Sequence, residues 1–264
     1  MNEEQRADGI LLNGISILLV EDSDMNRLVA ATMLHNHGAT VYEAVHGLHA
    51  LGAMEKISCD LVLMDIQMPV MDGRKATRII RKRYETKMPI IALTANAAKK
   101  ETDKCLAAGM NDCIAKPFEE EDLIKLILKW VGKDLQPACV TGGEKPLYGG
   151  EKPLYSLEKL YYTGRGDPDF VQRMIQLFIV QIPAGIREIK TAYVAGNFSG
   201  VEATAHRMEP ILNNFCISVL KEEIGEMQFL AVKRRPSPRL EELIGNMDII
   251  TTQIVEDLKN LKSC

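Results

Sequence analysis

Four separate segments of this chain end in groups that can handle phosphate. "ISILLVED" ends at Glu21 and Asp22, and "DLVLMD" ends at Asp65. "PIIAL" runs into Thr94, and "DCIAKP" carries Lys116 just before Pro117. Taken singly each is ordinary, because an acid after an apolar run most often caps the next helix. Taken together they are more specific. Three carboxylates gathered in one place repel one another, and a hard divalent cation with oxygen ligands, Mg²⁺, offsets that repulsion. Lys116 adds a further positive charge. A carboxylate beside a metal and an ammonium can accept a phosphoryl group. The cations neutralise its oxygens, and the hydroxyl of Thr94 can hold one of them. A second acceptor is His206, in "EATAHRMEPILNNF". On a helical wheel Met208, Leu212 and Phe215 lie roughly 160°, 120° and 180° from it. The apolar stripe therefore faces away from His206, which shares the solvent side with Glu202, Glu209, Pro210 and Asn213.

These groups must be positioned by the elements around them. From residue 14 to 132 strand-like runs alternate with helix-like ones, giving five β–α units. The runs "ISILLVED", "TVYEA", "DLVLMD", "PIIAL" and "DCIAKP" are short and mostly apolar, as expected of a parallel sheet buried on both faces. Active groups in such a sheet gather at the carboxyl ends of its strands, where Glu21, Asp22, Asp65, Thr94 and Lys116 all fall. Residues 1–13 are a polar tail. Residues 133–156 hold "GGEKPLYGGEKPLY", a tandem repeat punctuated by glycine and proline, and are expected to be a flexible linker. As a coil of about 24 residues it spans roughly 27 Å. Residues 157–264 show apolar residues at 3–4 spacing over many turns, the pattern of a helical bundle. Asp167-Pro168 and Ser237-Pro238 open helices, Gly196-Asn197 separates two, and Pro183 is expected to break one.

Composition narrows the function classes. The chain has 264 residues, 46% hydrophobic and 26% charged, with a net charge of −4. That is soluble globular composition with no nucleic-acid or membrane-binding surface. The basic run "KRRPSPR" is local and reads as a solvated loop. Six cysteines lack any C-x-x-C spacing, which fits free thiols in a reducing compartment. The polar, acidic start is no signal peptide and no run reaches the length of a membrane span. A cytoplasmic protein is expected. No glycine-rich nucleotide motif occurs, so an ATP-dependent kinase is not expected in this chain.

The motifs "ILLVEDSDMNR", "DLVLMDIQMPVMDG", "PIIALTAN" and "CIAKPF" resemble the receiver domain of response regulators over residues 14–132, a flavodoxin-like doubly wound α/β fold with a five-stranded parallel sheet. The resemblance implies that Asp65 is the phosphoacceptor and that Thr94 and Lys116 are the switch and phosphate-sensing residues. It also implies that Glu21, Asp22, Asp65 and the backbone carbonyl of Gln67 hold Mg²⁺. Cys113 stands where that family usually has an aromatic residue, which puts its usual aromatic switch in doubt. "AHRMEPILNNF" resembles the histidine motif of phosphotransfer (Hpt) domains, all-α four-helix bundles, over residues 157–262. This implies that His206 is a phosphoacceptor. Two positions depart from the common pattern: Glu209 replaces a lysine and Pro210 a glycine. The Glu209 carboxylate is expected to repel an incoming phosphoryl group, with Arg207 offsetting part of that. Pro210 is expected to bend the helix. The pair of domains resembles the C-terminal part of hybrid sensor histidine kinases. It implies a two-component phosphorelay: an upstream sensor histidine kinase supplies Asp65, and His206 passes the group to a downstream response regulator receiver domain. One alternative is a receiver joined to a non-transferring helical adaptor or dimerisation domain. A remote one is a haloacid dehalogenase-type phosphatase using Asp22 and Asp24.

Overall fold

The computed structural model describes residues 10–84, 87–95, 98–132 and 154–261. The chain divides into two compact units, Met1–Pro146 and Leu147–Cys264. The tandem repeat lies almost wholly outside the described residues.

In the first unit β1 (Ser16–Val20), β2 (Thr40–Ala44), β3 (Leu61–Asp65), β4 (Ile90–Thr94) and β5 (Asp112–Ala115) form one parallel sheet in the order β2-β1-β3-β4-β5. Successive side chains on a strand point to opposite faces, so a sheet covered on both sides needs unbroken apolar runs. Leu19, Leu63 and Leu93 face one core with Leu34, Leu123 and Ile127. Leu18, Val62 and Ala92 face the other with Ala50, Ala76 and Ile80. Each buried leucine or isoleucine contributes roughly 1.5–3 kcal/mol. The covering helices are α1 (Asp24–Asn36), α2 (Gly47–Met54), α3 (Gly73–Tyr84), α4 (Lys99–Ala107) and α5 (Glu120–Val131). The chain leaves β1 for α1 and leaves β3 for α3. The strand order reverses between β1 and β3, and the crevice outside their carboxyl ends is where ligands bind in this architecture.

The second unit, among the described residues, is helical: α6 (Glu158–Thr163), α7 (Pro168–Val194), α8 (Phe198–Asn214), a 3₁₀ turn (Ser218–Leu220), α9 (Lys221–Val232) and α10 (Pro238–Asn260). Helices α7, α8, α9 and α10 each pack on two others, closing a four-helix ring. Caps set the starts. The side chains of Asp167, Asn197 and Ser237 accept the backbone N–H of Asp169, Gly200 and Leu240 at 2.9, 3.0 and 3.1 Å. Phe170, Phe178 and Phe215 are fully buried, and the rings of Phe178 and Phe215 lie 4.3 Å apart.

The expected break at Pro183 does not occur, because α7 is a single helix of 27 residues. Proline costs one hydrogen bond and some crowding. Ile182, Ile186 and Ile189, all buried, keep one apolar stripe continuous across it. Gly185 adds close packing: a Cβ there would lie 2.6 Å from the sulfur of Met208 on α8. Helix α8 likewise runs through Pro210 without interruption.

Candidate functional site

The acids after β1 and at the end of β3 meet in the crevice. Carboxylate oxygens of Glu21, Asp22 and Asp65 lie within 4.8 Å of one another. Glu21 is 2% exposed and Asp65 6%. Lys116, arriving from β5, pairs with Glu21 and sits 3.0 Å from Oδ2 of Asp65. The Gln67 amide donates to Oδ1 of Asp65 at 3.2 Å, so the peptide after β3 wraps the carboxylate. Thr94 is buried at the end of β4, and its carbonyl accepts the Lys116 N–H at 2.7 Å. All the sequence-predicted residues of this pocket are therefore brought to one end of the sheet.

Electrostatics follow from that burial. Burial holds the Asp65 carboxyl up at about 7; Lys116 pulls it down, while Glu21 and Asp22 push it up. Burial alone would lower the Lys116 ammonium, but Glu21 and Asp65 outweigh it and hold it above its usual value. Three carboxylates and one ammonium carry a formal −3 + 1 = −2 when ionised. A divalent cation balances that charge, and every donor is a hard oxygen, the preference of Mg²⁺. The residues present therefore fit the ion.

Two positioning residues escape the motif reading. Arg27 donates to the Glu21 carbonyl at 2.9 Å, to Glu43 at 3.0 Å and to Asp24 at 2.5 Å. It braces the turn that aims the acidic pair. Its sequence signals are its place at the end of "ILLVEDSDMNR" and one helical turn after a capping serine, neither of which names its partners. Gly73 starts α3 directly beneath Asp65: a Cβ there would lie 2.1 Å from the Asp65 carbonyl oxygen. The glycine of "MDG" is visible in the sequence, but its neighbour is not. Asp24, the second carboxylate of the dehalogenase-type alternative, is exposed and paired with Arg27, outside the cluster. Cys113, partly buried, lies 3.3 Å from the Thr102 hydroxyl.

His206 stands on α8 with its side chain one-third exposed, while Met208, Leu212 and Phe215 are buried. Its Nδ1 is 4.0 Å from Oε2 of Glu209. The same carboxylate oxygen accepts Nε2–H of Gln228, on α9, at 3.0 Å. Arg207 does not offset Glu209 as expected. It pairs with Glu188 on α7 and reaches Thr204 at 3.3 Å.

A five-stranded 2-1-3-4-5 sheet with a buried acid–lysine pocket at its switch point is the receiver architecture, and residues 17–128 match the family model "Response regulator receiver domain". The N-terminal unit is a response regulator receiver domain. The chain is similar to the sensor histidine kinase GacS of Pseudomonas protegens, 34% identical over 197 residues, which cover 73% of this chain and 22% of that protein. It is also similar to the signal transduction histidine-protein kinase BarA of Escherichia coli, 26% identical over 251 residues, covering 90% of this chain and 27% of that one. It thus spans about a quarter of the length of these curated relatives. Among solved structures it is similar to the receiver domain of sensor histidine kinase PA1611 from Pseudomonas aeruginosa, at 43% identity. That match covers 45% of this chain and 98% of that one, with a TM-score of 0.43. The PA1611 receiver structure is described with a magnesium ion coordinated in its active site cleft.

Proposed function

We propose that this chain is a phosphorelay intermediate in which Asp65 takes a phosphoryl group from the phosphohistidine of an upstream sensor histidine kinase. His206 then relays the group to the receiver domain of a downstream response regulator. The observation that carries the reading is the largely buried set of Glu21, Asp22, Asp65 and Lys116, together with a one-third-exposed histidine on the helical ring of the other unit.

The residues divide the work. Glu21, Asp22 and Asp65, with the Gln67 carbonyl, would hold Mg²⁺, which when bound supplies positive charge against the phosphoryl oxygens. Lys116, 3.0 Å from Asp65, brings an ammonium to the same oxygens. The Thr94 hydroxyl, at the neighbouring strand end, accounts for a further oxygen. The Asp65 carboxylate is the nucleophile. Its oxygen forms the new bond to phosphorus as the bond to the donor imidazole breaks. Stabilising charge that develops on the transferring group, with donors already in place, is how such sites work. The relay from Asp65 to His206 runs within one chain or between two. The net charge of −4 gives no sign of a nucleic-acid surface, and among the described residues no helix is long and apolar enough to cross a membrane. The cytoplasm is the compartment where a histidine kinase meets its receiver.

A second reading has one specific observation in its favour. Glu209, an acid beside the imidazole, stands where the histidine motif usually carries a lysine. On that reading the helical unit is an adaptor or dimerisation element and His206 is idle. A phosphotransfer assay with Mg²⁺ and a histidine kinase donor separates the two. Asp65→Asn is expected to abolish labelling of the whole chain. His206→Gln is expected to retain acyl phosphate on Asp65 and lose acid-labile phosphohistidine. Label on the helical unit with His206 absent would refute the assignment, and stable acyl phosphate with no phosphohistidine in the unaltered chain would select the adaptor reading.

A further inference from the structure

We infer that Glu209, held by Gln228, is a positioning residue that selects Nε2 of His206 as the nucleophile; this rests on His206 being the phosphoacceptor proposed above. A neutral imidazole carries its proton on one nitrogen and its lone pair on the other, and only the lone pair attacks phosphorus. Of the two nitrogens, Nδ1 is the one 4.0 Å from the Glu209 carboxylate. At 4.0 Å the carboxylate is beyond hydrogen-bond reach, but its negative charge on that side still favours the proton on Nδ1 and leaves the lone pair on Nε2. The carboxylate is held in place because Gln228, from the next helix, donates to the same oxygen at 3.0 Å. Glutamine is neutral, so it fixes the carboxylate without cancelling its charge. The nearest basic side chain along α8, Arg207, is drawn to Glu188 on α7. Glu209 therefore keeps its charge for the ring.

The same geometry reverses the expected sign of the Glu209 effect. The acid lies on the Nδ1 side, so a phosphoryl group arriving at Nε2 approaches from the far side of the ring. In the transfer the Nε2 lone pair forms the bond to phosphorus while the bond from phosphorus to the Asp65 carboxyl oxygen breaks, returning its electron pair to that carboxylate. The proton stays on Nδ1, and the ring becomes an N-phosphorylated imidazolium. Its positive charge develops next to Glu209, so the acid opposes the incoming group less than it stabilises the product ring.

The test uses the full chain labelled with ¹⁵N-histidine, with His206→Gln to assign the ring signal. Long-range ¹H–¹⁵N spectra at a pH where the ring is neutral read the tautomer directly. Transfer is followed with Asp65 charged from radiolabelled acetyl phosphate and Mg²⁺. The unaltered chain is expected to show Nδ1–H. Glu209→Ala is expected to lose that preference and to slow the appearance of phosphohistidine roughly tenfold. Glu209→Gln, which keeps the side chain's size but removes its charge, is expected to lose the preference and slow transfer as Glu209→Ala does. An Nε2–H signature in the unaltered chain would overturn the inference, as would transfer in Glu209→Ala or Glu209→Lys at or above the unaltered rate. If Nδ1–H is present but no phosphohistidine ever forms, it is the phosphorelay reading that fails.

Discussion

Two glycines of the receiver unit should respond in opposite ways to the same substitution. At Gly73, a Cβ would lie 2.1 Å from the Asp65 carbonyl oxygen and 2.9 Å from the Met64 side chain. The first neighbour is backbone at the end of a central strand and cannot swing aside. Relief requires α3 to withdraw from β3, losing contacts of the buried Ala76 and Ile80. Overpacking of this kind costs about 2–3 kcal/mol. For a unit of this size the entropy of unfolding is about 0.25 kcal/mol per degree, so Gly73→Ala should lower its Tm by roughly 8–12 °C. At Gly52, inside α2, nothing lies within 4 Å of the added carbon. Gly52→Ala should therefore stabilise the unit by about 0.5–1 kcal/mol through helix propensity and unfolded-chain entropy. The assay is available because the chain has a single tryptophan. Trp130 lies on α5 and donates to Asp112 at 3.0 Å, so its fluorescence reports the receiver unit and not the helical one. If Gly73→Ala unfolded within about 0.5 kcal/mol of the unaltered chain, or if the two substitutions moved the midpoint the same way, the close-approach reasoning would be wrong.

Other outcomes can be checked with the same fluorescence signal or by direct binding. Val70, exposed in the loop after β3, has φ = 66°, a left-handed conformation that costs a side-chain-bearing residue about 1–2 kcal/mol. Val70→Gly should raise stability by about 0.5 kcal/mol once the entropy of the freer chain is subtracted. The Asp112 carboxyl is held below its ordinary 3.8: burial would raise it, but hydrogen bonds from Lys129, Trp130 and the Cys113 N–H prevail. A depressed acid contributes stability above its unfolded value and loses it as pH falls through the folded one. Asp112→Asn should therefore cost about 1 kcal/mol at neutral pH, with the difference from the unaltered chain vanishing below pH 3.8 in acid titrations. Asp22→Asn should weaken Mg²⁺ binding in calorimetry at least tenfold, and chelation should stop labelling of Asp65 without unfolding the unit.

Much of the receiver pocket is legible in the sequence because strand ends are legible. An apolar run that stops at an acid, a hydroxyl or a lysine says both where the strand ends and which group it presents. Glu21, Asp65, Thr94 and Lys116 are all of this kind. What could not be read depends on distances between segments far apart in sequence. Nothing near Gly73 says that a carbonyl lies against it, and nothing near Arg27 says that Glu43 completes its ion pairs. Pro183 misleads for a related reason. Local propensity predicts a break, but the stripe of Ile182, Ile186 and Ile189 stabilises the continuous helix more than one lost hydrogen bond costs. The wheel that turns His206 away from the core also turns it toward Glu209. Only the packing of α9 brings Gln228 to that carboxylate and sends Arg207 to Glu188.

The two clamps of the receiver pocket differ in how much chain each must close. Arg27 bridges to Glu21 and Glu43 over 6 and 16 residues, so its contacts can form as soon as β1, α1 and β2 meet. Lys116 reaches Glu21 across 95 residues, after every other strand has been laid down. Loop-closure entropy makes such long-range contacts late events in folding. A nascent or partly unfolded receiver would thus hold a formed acidic turn without its lysine, and so lack the ammonium that pairs with Glu21 and Asp65. On the proposed relay, chemical competence would arrive only with docking of the last strand, so incompletely folded chains would not accept phosphoryl groups.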